Sequence, residues 1–232
     1  MKRDAQITAG EIYHVYNRGV DKRKIFMDDN DHLRFIHDLF EFNDEDKTLN
    51  NGFRFNSSAI ATGQQYLKQR KLLVEILVFA LMPNHYHMLL KPCNDTGVSR
   101  FLKKVNGGYA QYFNKKYGRS GTLFESKFKA IRLENDAHFI HMPYYIHANP
   151  LDIISSEWRE GRLKNHLDAL KFLKNYRWSS FPDYIGEKNF PSVTQRDFLL
   201  KISGGTQEYK NNFINWLRSM QLNSVSGLTL EN

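Results

Sequence analysis

Apolar and polar positions alternate over residues 10–18, Gly-Glu-Ile-Tyr-His-Val-Tyr-Asn-Arg, which predicts a first strand closed by Arg18-Gly19. Asp28-Asp29-Asn30-Asp31 then supplies helix-capping side chains and negative charge for a helix N-terminus, and Leu33, Ile36, Leu39 and Phe40 follow at helical spacing. Residues 43–62 are polar and rich in Asn and Ser, the signature of a surface insertion, and residues 64–70 fit neither period. Two apolar runs at 72–82 and 85–91, separated by Pro83-Asn84, predict an antiparallel pair. Phe101, Leu102, Val105, Tyr109, Tyr112 and Phe113 then mark a helix over 98–117, with Gly118 where a left-handed cap belongs and Gly107-Gly108 as a weak point inside. Residues 122–133 predict a further strand, and Asn135-Asp136 caps a helix running to about Ala148.

The order β-α-β-β-α-β-α is that of a ferredoxin-like, split βαβ fold of the α+β class: an antiparallel sheet with helices on one face. The expected division is a catalytic unit over 1–150 and a helical C-terminal extension over 151–232 packed on it. That extension holds Trp158, Trp178 and Trp216, the turn-rich run from Trp178 to Tyr184, and an amphipathic stretch from Gln207 to Met220. Residues 221–232 have the character of a frayed tail.

Composition narrows the setting. A 41% hydrophobic and 14% aromatic content excludes global disorder. A single cysteine, Cys93, excludes an internal disulfide and any multi-cysteine zinc site, and reads as a small hydrophobe near a strand end. With neither an apolar signal core nor a run approaching the ~20 residues of a membrane span, a soluble cytoplasmic protein is expected, as a monomer or homodimer. The net charge is +8, and between Ser99 and Leu133 Arg100, Lys103, Lys104, Lys115, Lys116, Arg119, Lys127, Lys129 and Arg132 stand against Glu125 alone. Phe101, Tyr109, Tyr112, Phe113, Tyr117, Phe124 and Phe128 are interleaved with them. Cations for phosphates and flat rings for unpaired bases suit a nucleic acid; a solvated basic face over a core of aromatics is the plainer reading of each position alone. Arg18 and His14 on the first strand fit a DNA contact or an ordinary sheet contact equally well.

The candidate chemistry begins at His85-Tyr86-His87. Alternate strand residues share a face, so the two imidazoles project together roughly 6.6 Å apart, a separation at which both can reach one divalent metal. His-x-His alone is a weak signal. On the helix after Asn135, however, His138, His141, Tyr145 and Asn149 recur at three- and four-residue intervals along one stripe. Two imidazoles, an amide oxygen from Asn149 and positions open to phosphate oxygens would suit Mg²⁺ or Mn²⁺. The Tyr145 phenol beside such a metal can attack phosphorus and store the broken bond as a phosphotyrosine, because phenolate, with a pKa near 10, is a better leaving group than an alcohol. Tyr144 points about 100° away around the helix. Tyr109, Tyr112 and Tyr117 fit core or stacking roles better, and His138, His141 and His147 fit structural ones. Trp178 reads as a packing anchor.

Taken in order, these segments resemble the single-tyrosine, HUH-type transposases, and within them the REP-associated tyrosine transposases. The residues that carry the resemblance are Ile12-Tyr-His-Val-Tyr-Asn-Arg-Gly19, Leu81-Met-Pro-Asn-His-Tyr-His-Met-Leu-Leu90, Tyr109-Ala-Gln-Tyr-Phe-Asn-Lys-Lys-Tyr-Gly118, Gly121-Thr-Leu-Phe124, Phe128-Lys-Ala130, Tyr145-Ile-His-Ala-Asn-Pro150 and Tyr176-Arg-Trp-Ser-Ser180, so that it spans roughly residues 8–185. It implies a single-strand DNA endonuclease and strand transferase that cuts beside a hairpin, leaving a 5′-phosphotyrosine and a free 3′-hydroxyl. His85 and His87 match the family's metal pair, Tyr145 its nucleophile and Asn149 the polar residue that helps hold the metal. Pro143 departs from a plain helix two residues before the nucleophile, so that the helix must either kink or restart there. A retired, hairpin-binding protein and an RNA-binding module are the rival classes; the second leaves Tyr145 and Asn149 without a purpose.

Overall fold

The computed structural model describes residues 7–46, 70–163 and 165–220. The expected insertion falls largely on residues 47–69, and the expected tail on 221–232, outside the described residues. The strands are β1 (Tyr13–Arg18), β2 (Val74–Met82), β3 (His85–Pro92) and β4 (Lys129–Arg132), forming one four-stranded sheet in the order β2-β3-β1-β4, with every hydrogen-bonded pair antiparallel. Helices α1 (Asp29–Glu41), α2 (Gly97–Lys116) and α3 (Asp136–Ala148) fall between and after them in the split βαβ order.

Alternation along the strands sorts the two faces. Tyr13 and Val15 of β1, Phe79 and Leu81 of β2, and Tyr86, Met88 and Leu90 of β3 pack with Phe35 and Leu39 of α1 and with Phe101, Leu102, Val105 and Tyr109 of α2. That is the expected helical layer. The opposite face is covered as well, since Leu77, Val78, Ala80 and Leu89 pack with α3 and the C-terminal helices. A bulge between Ile76 and Val78 lets β2 serve both layers.

Local sequence explains the element ends. Asp28 caps α1 by accepting from the Asp31 N–H at 3.0 Å, and Asn135 caps α3 by accepting from the His138 N–H at 2.8 Å. α2 runs unbroken through Gly107-Gly108, and a Cβ at Gly108 would lie 2.7 Å from the Phe42 ring, so this glycine lets the end of α1 approach α2. Gly118 has φ +60°, the left-handed conformation expected after α2. The strand predicted over 122–133 shortens to Lys129–Arg132. The Asn17 amide donates to the carbonyls of Ser126 and Lys127, both at 3.0 Å, and these side-chain bonds replace strand pairing there. Cys93 follows the end of β3 and is exposed.

The chain after Asn149 is helical, with α4 (His166–Asn175), α5 (Phe181–Tyr184), α6 (Asp197–Ser203), α7 (Thr206–Ser219) and short 3₁₀ turns at Asn149–Ile153 and Ser156–Glu160. It protects the outer edge of β2: the Leu81 N–H donates to Trp178 O at 2.9 Å and the Ser180 N–H to Phe79 O at 3.0 Å. Trp178 is largely buried and stacks on His32 with ring centroids 4.4 Å apart, an anchor rather than an open platform. None of the described helices is long and apolar enough to cross a membrane.

His147 ties α3 to this extension. Its ring is fully buried, with Nδ1 2.8 Å from the Tyr209 hydroxyl and Nε2 2.8 Å from Ser180 Oγ, and burial pushes its pKa down to about 3 from an ordinary 6.5. Above pH 6.5 the ring is neutral in both folded and unfolded chains. Below it the unfolded chain takes up a proton that the folded one refuses, so stability falls with pH, by up to about 1.4 kcal/mol per unit for this one group. Urea titrations between pH 7.5 and 5 should show that loss, and His147→Gln should have a flatter pH dependence; identical slopes would show that His147 takes no part.

Candidate active site

β1 and β3 carry the site on the face turned toward α3. In the antiparallel register Arg18 lies opposite His85, Tyr16 opposite His87 and His14 opposite Leu89, so His14, Tyr16, His85 and His87 share that face. The rings of His85 and His87 have centroids 4.9 Å apart and stand nearly perpendicular, at 86°. His87 is fully buried, and its Nδ1 lies 2.9 Å from His14 Nε2. His85 Nδ1 lies 2.6 Å from the Asn84 Oδ1. With Nδ1 of each ring engaged, Nε2 is the atom each would present to a cation, the arrangement by which an outer hydrogen bond sets tautomer and orientation. Nitrogen donors suit Mn²⁺ better than Mg²⁺, which favours all-oxygen surroundings. No cluster of three or more His, Cys, Asp or Glu side chains with metal-holding geometry occurs among the described residues, so the remaining ligands would have to be amide, phosphate or water oxygens.

Tyr145 comes to the same place from α3. Its ring centroid is 6.4 Å from that of His87 and 6.3 Å from that of His14, edge-on to both. α3 is one helix with Pro143 inside it, so the chain does not restart at the proline. Tyr144, the neighbouring rival, points away as the helical period requires and packs against Tyr209, Phe213 and Trp216. Tyr109 is a core residue whose hydroxyl bonds the Ile25 carbonyl, and Tyr112 and Tyr117 both donate to Asp31. His138 and His141 lie further up α3, and His147 holds α3 to the C-terminal helices.

Asn149 is buried beyond the last turn of α3, its Nδ2 donating to the Tyr145 carbonyl at 2.8 Å. Its Oδ1, the atom expected to reach a metal, accepts from Arg159 Nη2 at 2.7 Å. Arg159 went unnoticed in the sequence. It stands in the 3₁₀ turn Ser156–Glu160, and its Nη1 donates to the Tyr145 hydroxyl. Asp152 accepts from its Nε at 3.0 Å and from its Nη2 at 2.7 Å. Burial opposes the charge on Arg159, but the hydrogen bond and attraction to Asp152, together with the Tyr145 contact, hold its pKa above the ordinary arginine value. No spacing motif marks an arginine in this place, and its only sequence signal is the pattern Asp152…Trp158-Arg159.

The basic run separates in space. Arg18 and Lys129 share the histidine face, Arg18 bonding Glu125 at 3.1 Å and Lys129 lying 5.5 Å from the Tyr16 ring centre. Arg132, opposite Tyr13 on the other face, pairs with Glu11 at 3.0 Å. The α2 cations lie with the helical layer on the far side of the sheet. Arg100 donates to Glu45 O at 3.2 Å, Lys104 to Asp44 O at 2.5 Å, and Arg119, just beyond the helix, to Asn114 Oδ1 at 2.8 Å. Lys116 is held between Asp28 and Asp31 at 2.8 and 2.7 Å. Lys103, Lys115 and Lys127 are exposed.

The antiparallel split βαβ sheet thus brings a buried tyrosine edge-on to His87, the inner member of the strand histidine pair, and to His14 beside it. Residues 54–149 match the family model described as transposase, IS200-like. A solved structure described as a REP-associated tyrosine transposase bound to a REP hairpin aligns with it at a TM-score of 0.50 and 14% identity, over 83% of this chain and 89% of that one. At that identity the likeness is one of fold. No curated protein matches the chain.

The Lys116 ion pairs separate two roles that its sequence position leaves open. Asp31 is fully buried, so Lys116→Gln should cost about 1–3 kcal/mol of stability by leaving part of that carboxylate unmatched. DNA affinity of the folded variant should stay close to wild type. A large affinity loss at unchanged stability would make Lys116 a phosphate ligand instead.

Proposed function

We propose that the chain is a single-strand DNA endonuclease and strand transferase that acts beside a hairpin, as a monomer or a homodimer, with Tyr145 as nucleophile. The observation that carries this reading is the placement of the Tyr145 ring 6.4 Å from that of His87, between the end of α3 and the histidine face of the sheet. The family match supports the reaction class, and the hairpin bound to the related fold supports the kind of substrate. In the reaction, the Tyr145 oxygen bonds to phosphorus, the bond from phosphorus to the 3′-oxygen breaks, and that oxygen leaves as a 3′-hydroxyl after taking a proton. The 5′ side stays on the enzyme as a phosphotyrosine. Attack by a free 3′-hydroxyl reverses these bond changes and rejoins strands without ATP.

His85 and His87 would hold a divalent cation, Mn²⁺ or Mg²⁺, through their Nε2 atoms, and such a cation when bound polarises the phosphodiester and stabilises its developing charge. His14 would orient His87, as its 2.9 Å hydrogen bond indicates. Asn149 serves as the amide partner of the nucleophile's turn, and the second lone pair of its oxygen, the first being taken by Arg159, is what it could give to the cation. Arg18 and Lys129 lie where phosphates next to the cut would run. The exposed Lys103, Lys115 and Lys127 are the cations assigned to the more distant backbone.

Incubated with labelled single-stranded hairpin oligonucleotides from the flanks of its own gene, the protein should give a covalent band on a denaturing gel that requires a divalent metal. Tyr145→Phe should bind the same DNA and give no band. Tight binding without an adduct under any metal would make the chain a hairpin-binding protein, and an adduct at wild-type yield in Tyr145→Phe would move the nucleophile elsewhere. Replacing Lys103, Lys115 and Lys127 with glutamine should flatten the salt dependence of binding, by about 0.7 in logarithmic slope for each single-strand phosphate that the protein no longer neutralises. An unchanged slope would remove these lysines from the DNA path.

A further inference from the structure

Arg159 is bonded more extensively than its charge needs. Asp152 alone neutralises it, through an ion pair at 2.7 Å and a second bond at 3.0 Å, and the guanidinium also lies 5.0 Å from the Trp158 ring centre. Trp158 is itself pinned, its Nε1 donating to the same Asp152 carboxylate at 2.5 Å. These interactions fix the plane and direction of the guanidinium before it touches anything else. What remains of its donor fork is aimed at two groups of the candidate site: Nη1 at the Tyr145 hydroxyl and Nη2 at the Asn149 Oδ1, 2.7 Å away. The guanidinium also lies 5.2 Å from the centre of the Tyr145 ring.

Resting on the strand-transfer reading above, we infer that Arg159 is a positioning residue for that reaction, holding the Tyr145 oxygen and the Asn149 amide in one fixed relation while Asp152 and Trp158 hold Arg159. A tyrosine ring in contact with His14, His87 and Trp158 is confined by all three. The phenol oxygen at its tip is what must meet phosphorus in line, and Arg159 is the group that fixes it. Because Asp152 already balances its charge, Arg159 contributes direction more than net positive field. It also makes the segment after Asn149 part of the site, so that the C-terminal extension completes the catalytic unit instead of only covering it.

The test uses the full chain, hairpin oligonucleotide and Mn²⁺, and reads adduct formation at saturating DNA, DNA affinity by anisotropy, and thermal stability. A wild-type protein that forms no Tyr145 adduct overturns the strand-transfer reading, and this inference with it. Where wild type does form one, Arg159→Gln should slow adduct formation on the order of 10²-fold, the scale of a misplaced nucleophile, with DNA affinity unchanged. Arg159→Lys should restore only part of the rate, since one ammonium cannot span phenol, amide and carboxylate together. Asp152→Asn, which leaves Arg159 in place but loosens its anchor, should give a smaller loss of the same kind and serves if Arg159→Gln fails to fold. Added methylguanidine should raise the rate of Arg159→Ala, an effect that a purely structural role would not produce. A wild-type rate in folded Arg159→Gln or Asp152→Asn, or a loss accounted for by weaker DNA binding alone, would overturn the assignment while leaving Tyr145 in its role.

Discussion

The register between β1 and β3 is the constraint on which the site depends. Tyr86, Met88 and Leu90 must face α1 and α2, and because side chains alternate, His85 and His87 then face α3. A slip of one residue would turn the histidines into the α1–α2 layer and move the apolar set out of it, so the hydrophobic effect that assembles the core also aims the imidazoles. The same alternation in β1 puts Tyr13 and Val15 in the core and His14 and Tyr16 beside the histidine pair.

Polar groups on a covered sheet face are costly without partners, and the fold supplies them. His14 and His87, both buried, share a 2.9 Å hydrogen bond. His147 meets Tyr209 and Ser180, and Asn149 meets Arg159 and the Tyr145 carbonyl. Three of these partners, Tyr209, Ser180 and Arg159, come from beyond Asn149. The extension thus buries the histidine face, closes the β2 edge through Trp178–Ser180 and reaches the phenol of Tyr145 with Arg159.

Charge is distributed less simply than its clustering along the chain implies. The cations of residues 99–133 lie on both sides of the sheet, and several are bonded within the protein: Lys116 to Asp28 and Asp31, Arg132 to Glu11, Lys104 to the carbonyls of Asp44 and Asp46. Arg18 and Lys129 reach the histidine face because their strands pair there. A basic protein need not present one basic track.

The sequence by itself determined the order of elements, the alternation of β1 and β3, the caps of α1 and α3, and the spacing that singles out His85, His87, Tyr145 and Asn149. These are local properties, set by periods of two and 3.6 residues and by capping chemistry. Only the tertiary structure decided that β4 starts as late as Lys129, since that follows from the Asn17 amide binding carbonyls more than a hundred residues away. It alone decided that a second helical layer covers the histidine face, and that Lys116 spends its charge on buried Asp31. It alone brought Arg159 to Tyr145 and gave the Asn149 oxygen to that arginine. Such pairings depend on where irregular turns end in space, and no local periodicity encodes that.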